Sequence, residues 1–164
     1  MRTSSKRFWH GCLWGLVATL ALTVTMLLAW RIWPNAIPAP LPLAVTVGIV
    51  ARVFGTQPMT PIILVLGTIL QFAYGAFWGG LLEITSSRPA IWKSIALALG
   101  LWLMMVIFYM PMAGIDTFEV ATSPGVWLAT LIGHLIYGYT LGRLLIRDER
   151  RLPSAADAIA VTDQ

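Results

Sequence analysis

Four apolar runs, each closed by charge, proline or glycine, set the pattern of this chain. The first, Gly11 to Trp30, holds no charged residue over twenty positions. At about 1.5 Å per residue it reaches roughly 30 Å as a helix, the thickness of a bilayer's hydrocarbon core. Trp30-Arg31-Ile32-Trp33-Pro34 follows, an interfacial aromatic anchor with a helix stop, which favours an uncleaved helix over a signal peptide. The remaining runs predict spans at about 62–83, 94–112 and 126–146 beside the first at 11–33. The expected fold is therefore all-α, a polytopic membrane protein with four transmembrane helices in one domain, residues 1–151. Residues 152–164 read as a disordered cytoplasmic tail.

Between the first two spans the pattern changes. Pro34, Pro38, Pro40 and Pro42 forbid regular helix and point to an extended path. Leu43 to Phe54 is apolar again, but about 12 residues of helix cover only some 18 Å. That is too short to cross, so the segment is expected to be interfacial or re-entrant in the first outer loop. A loop laid on the bundle's outer face is the alternative.

Composition agrees with the pattern. The 164 residues are 58% hydrophobic and 11% charged, where a soluble domain carries about a quarter charged residues. The lipid bilayer is thus the first expected partner. Basic residues gather at segment ends instead of along one face, which speaks against nucleic acid. Nine of the eleven Lys and Arg lie in the N-terminal segment, the 83–93 turn and the C-terminal end, against Arg31 and Arg52 alone in the alternate loops. By the positive-inside rule both termini are expected in the cytoplasm. Arg31 and Arg52 face a second outer loop with Asp116 and Glu119, and an ion pair there is expected to hold the 34–61 segment over the bundle. The single cysteine, Cys12, excludes an internal disulfide and a cysteine-based metal cluster.

Two stretches carry the chemistry worth weighing. Gln71-Phe-Ala-Tyr74-Gly75-Ala-Phe-Trp-Gly79 returns 63 residues later as His134-Leu-Ile-Tyr137-Gly138-Tyr-Thr-Leu-Gly142. Six identities in the twenty aligned positions from Leu64 to Glu83 suggest a two-helix repeat, although convergence on small-residue packing produces the same likeness. Gly67, Gly75 and Gly79 share a face with Gln71, as Gly138 and Gly142 do with His134, and Gly11, Gly15, Thr19 and Thr23 form a third ridge. Such ridges let helix backbones approach closely, and packing is their expected role. Gln71 and His134 fall at equivalent mid-membrane depths, where an unpaired polar group is costly. They are expected to turn inward and to bond each other, Thr19, Thr23 or a tyrosine. Haem does not fit, because His10, the other histidine, lies near the cytoplasmic boundary. Met59, Met110 and Met112 offer thioethers suited to Cu(I), but methionine in apolar helices is usually filler. Neither a resident cofactor nor a metal is expected.

The motif Gly15-Leu-Val-Ala18-Thr19-Leu-Ala-Leu-Thr23, with the closing His134-x-x-Tyr-Gly-x-x-x-Gly142, resembles small uncharacterised bacterial four-helix membrane proteins grouped as domains of unknown function. The likeness covers most of the membrane part. It implies a bacterial inner-membrane location and no known activity, so no catalytic residue is carried over. Three classes remain open from the residues themselves. The thin polar inventory favours a non-enzymatic structural or accessory subunit, working with further copies of itself or with another membrane protein. A small oligomeric transporter or channel, with Gln71 and His134 lining a polar site, comes second. An enzyme would need polar groups converging at one depth, which the spacing does not reveal.

Overall fold

The computed structural model describes residues 3–32, 41–55, 60–86, 88–114 and 124–149. Five helices carry them: α1 (Ser4–Ile32), α2 (Leu41–Phe54), α3 (Pro61–Thr85), α4 (Ile91–Ala113) and α5 (Pro124–Glu149). Three of these, α1, α3 and α4, are long and apolar enough to cross a membrane, and the chain is a helical membrane protein. The fourth expected span, 126–146, lies within α5. That helix is less apolar than the others, because His134, Tyr137, Tyr139 and Arg143 interrupt it. Pro34, Pro38 and Pro40, Met59, the acidic loop residues Asp116 and Glu119, and the tail 152–164 lie outside the described residues. Pro42, expected to forbid helix, instead stands in the first turn of α2, where its missing N–H would have had no intrahelical partner.

The helices outrun the apolar runs that predicted them. α1 begins at Ser4 instead of Gly11, and its 29 residues measure about 44 Å. Its first turns carry Lys6 and Arg7, ahead of the apolar run. Arg7 uses them: its guanidinium donates to the carbonyl oxygens of Glu83 and Ser86. Those are the orphan acceptors at the C-terminal end of α3, so the contact caps one helix with another's side chain.

Packing follows the small-residue ridges. An added Cβ at Gly79 would meet the Gly11 carbonyl at 2.5 Å and the Gly15 Cα at 2.7 Å. One at Gly138 would meet the Ser94 carbonyl at 2.6 Å and the Ala98 Cβ at 2.7 Å, and Gly142 also faces Ser94. So α3 lies on α1 and α5 on α4, each by the glycines of its own repeat. The helix offering the reciprocal surface has small residues four apart in both cases, Gly11 and Gly15 or Ser94 and Ala98. The third ridge, on α1, is buried at Gly11, Gly15 and Thr19 as its spacing implied.

The two pairs join where α1 packs on α5. Ala18, Leu22 and Met26 form a core with Ala98, Leu101, Tyr137 and Leu141, backed by Trp14, Trp78 and Leu82. That core runs from mid-bundle towards the end where the termini lie. At the same end His10 Nε2 lies 2.7 Å from Asp148 Oδ2, tying the start of α1 to the end of α5.

In the opposite half the gap between α3 and α4 is filled by α2. Val47 packs against Gly67, and Val50 and Ala51 cluster with Ile63. On its other side Val45 joins Trp102, Met105, Val106 and Met110 of α4. The Arg52 guanidinium, at the far end of α2, occupies the space a side chain at Gly114 would take. The short apolar segment is thus a helix wedged into the bundle, with its N-terminal half at the deeper level. A loop on the outer face, the alternative from sequence, is not what forms.

α4 makes room for the wedge by changing its winding. Met105–Tyr109 form a π-turn, in which the Met110 N–H bonds Met105 O. Pro111 follows directly. A proline ring strains the helix over the preceding turn, and one residue of slack there lets the helix continue to Ala113. The helix then stops at Gly114, whose φ of +79° is left-handed.

Candidate functional site

The wedge does not fill its gap. A cavity of about 210 Å³ remains at mid-bundle, and all five helices contribute to its wall. α1 supplies Thr19 and Leu22, and α2 supplies Val45, Thr46 and Ile49. α3 contributes Leu70, Gln71, Tyr74 and Gly75 from consecutive turns. Leu101, Met105, Tyr109 and Met112 come from α4, His134 and Tyr137 from α5. No Asp, Glu, Lys or Arg is among them.

Both polar residues singled out by sequence therefore line one space, buried to 8% exposure for Gln71 and 7% for His134. Their hydrogen bonds are not those expected. His134 Nδ1 lies 2.9 Å from the carbonyl oxygen of Thr130, one turn back on its own helix. A carbonyl only accepts, so Nδ1 carries the hydrogen and the neutral ring keeps Nε2 as an acceptor. Among the described residues the Gln71 amide makes no hydrogen bond at all. Thr19, an expected partner, instead donates to the Gly15 carbonyl at 2.8 Å. The Thr23 hydroxyl is buried without a partner among the described residues.

The tie between α5 and α3 is made one turn away. Tyr137 Oη donates to the Gly75 carbonyl at 2.8 Å. Gly75 has no side chain to shield that carbonyl, and an added Cβ there would collide with the Thr19 hydroxyl. Tyr74, the repeat counterpart of Tyr137, reaches α4 instead: its ring stands edge-on to Tyr109 with centroids 5.6 Å apart. Its hydroxyl points to Met104 Sδ at 3.7 Å. Aromatic side chains thus bridge the two helices that α2 holds apart.

The other sequence candidates do not converge here. Gly67 backs α2, Gly79 backs α1, and Gly138 and Gly142 back α4. Sequence reasoning missed Tyr74, Tyr109 and the α2 residues as cavity walls. The coincidence of Tyr74 with Tyr137 in the repeat alignment was the one available signal. His10, expected only to be at the wrong depth for haem, lies against Asp148 at the terminal end, with Glu83 Oε1 3.9 Å from its other nitrogen. Among the described residues, no group of His, Cys, Asp and Glu is arranged to hold a metal. Of the methionines weighed for copper, Met110 is fully buried in the α2 contact and Met112 lies on the cavity wall.

Compared with known protein families, curated proteins and solved structures, the chain matches none. The reading of the site rests on its own geometry.

What that geometry offers is a mostly apolar space with a few neutral polar groups in its wall. Ligand pockets have this character. The volume exceeds the engineered cavity of about 150 Å³ that stays dry and takes up benzene.

Proposed function

We propose that this is a four-span protein of a bacterial inner membrane, with both termini in the cytoplasm, that binds a small molecule in its intramembrane cavity. The fourth span is α5. Its outward face carries Leu128, Ile132 and Tyr139, all more than 40% exposed, as a lipid-facing helix requires. Its basic end, from Arg143 onward, lies beside the basic start of α1, in keeping with the charge asymmetry.

One observation carries the binding function: Gln71 is over nine-tenths buried as a residue, lines the cavity, and presents to it an amide with no hydrogen bond to another described residue. An amide left unpaired in an apolar space that water does not fill costs about 1–3 kcal/mol, more in hydrocarbon. A purely structural or accessory subunit gains nothing from that cost. A binding site does, because a ligand supplies the missing bonds.

Binding without covalent chemistry fits the wall best, since the polar groups are neutral and the Thr19 hydroxyl is already committed to a carbonyl. A transport function is the second reading. The cavity favours it over conduction through a fixed pore, because on its terminal side Leu141 and Leu145 are buried in the packed core. Movement of solute across would need that side to open, or a second copy or another membrane protein to complete the path. Replacement of Gln71 by leucine tests the proposal, because a site held for a ligand and a structural amide respond with opposite signs of stability.

A further inference from the structure

The wall of the cavity specifies the chemistry of its occupant. Given the binding function proposed for this cavity, on which the inference rests, we infer that the ligand is an uncharged, hydroxylated aromatic of the phenol class that enters from the bilayer. Three features of the wall lead there.

The first is hydrogen-bond pairing. His134 Nδ1 is engaged by the Thr130 carbonyl, which leaves Nε2 to accept. The Gln71 amide has two N–H groups free to donate among the described residues. A group that both donates and accepts satisfies the two at once, and a hydroxyl does so where an ether, a ketone or a hydrocarbon does not. The second is charge. With no ionised side chain in the wall and an apolar remainder, a carboxylate or an ammonium would lose its hydration with nothing to replace it. The third is shape. A volume of about 210 Å³ suits a single substituted ring, somewhat above the space that takes up benzene. The ring would find Tyr74 and Tyr109 edges and the Met105 thioether at contact.

The entrance lies on the lipid side. Leu70 and Met112 line the cavity and are also 40% and 55% exposed on the outer surface of the bundle. They flank the α2 wedge, where α3 and α4 meet through long side chains. A molecule dissolved in the bilayer therefore reaches the cavity without crossing the aqueous face.

The test uses three para-substituted toluenes on the full chain in lipid nanodiscs: p-cresol, p-xylene and p-toluate. Affinities are measured by calorimetry, referred to each probe's concentration in the bilayer and corrected with empty discs. The wild-type chain is expected to bind p-cresol about tenfold tighter than p-xylene, the worth of one net hydrogen bond, and not to bind p-toluate. Gln71→Leu should bring p-cresol down to the p-xylene level while p-xylene itself still binds, which shows that the variant keeps its fold and cavity. Equal binding of p-xylene and p-cresol by the wild type, or displacement of either by p-toluate, overturns the ligand class and leaves the cavity as a binding site. Failure of all three probes to bind overturns the class and the proposed function together.

Discussion

A glycine contributes to this bundle only where another helix lies on it. Gly138 and Gly100 make the comparison within one bundle. An added Cβ at Gly138 meets α4 backbone at 2.6 Å, whereas one at Gly100 meets nothing within 4 Å. Gly138→Ala is therefore expected to destabilise by about 1–3 kcal/mol, as overpacking does. Gly100→Ala should be neutral or stabilise by up to about 1 kcal/mol through helix propensity. Unfolding in mixed micelles would measure both, and equal effects would remove the ridge as the packing determinant. Four-residue spacing made these ridges readable in the sequence, because a helix puts such positions on one face. It could not say which helix each face meets. Gln71 and His134 share a depth, and depth is what spacing encodes. Their hydrogen bonds depend on rotation and on neighbours, and a carbonyl one turn back on α5 outcompeted the amide across the bundle.

Helices proved more extended than their apolar runs, since a helix ends where its backbone partners end and hydrophobicity ends earlier. Arg7 shows what the extra turns do. Its two bonds to the last carbonyls of α3 are charge-assisted and partly buried, and such bonds are worth roughly 1.5–3 kcal/mol each before solvent screening reduces them. Arg7→Ala is expected to speed amide hydrogen exchange at the C-terminal end of α3, leaving the Leu22–Leu141 core protected. Unchanged exchange at the end of α3 would mean that Arg7 is only an orientation charge. The short helix α2 was legible as too short to cross, but its wedge position was not. It depends on Gly67 opposite Val47 and on the π-turn ahead of Pro111, two accommodations on separate helices. The expected pairing of Arg31 and Arg52 with Asp116 and Glu119 falls on loop residues outside those described. Arg52 itself lies over Gly114.

At the scale of the molecule, the bundle is two helix pairs joined by α1 on α5, with a wedge where the pairs fail to meet. That mismatch creates the cavity, and no local pattern announces it, since a void arises from what several elements leave out. Topology is the molecular property most directly set by sequence. Reporter fusions at residue 88 and after residue 151 should read cytoplasmic, and fusions near 57 and 118 external. A cytoplasmic signal at 118 would contradict the four-span arrangement with α5 as the last. The central claim, that the cavity is held for a ligand, turns on whether Gln71 is costly to the empty protein. The measurement is the unfolding free energy of Gln71→Leu in lipid bicelles without added ligand. If the amide is kept for binding, leucine of similar bulk should raise stability by about 1–3 kcal/mol, the cost of the unpaired amide removed. A loss of stability would show that Gln71 holds the bundle together, and the cavity would then be a packing defect with no ligand to explain it.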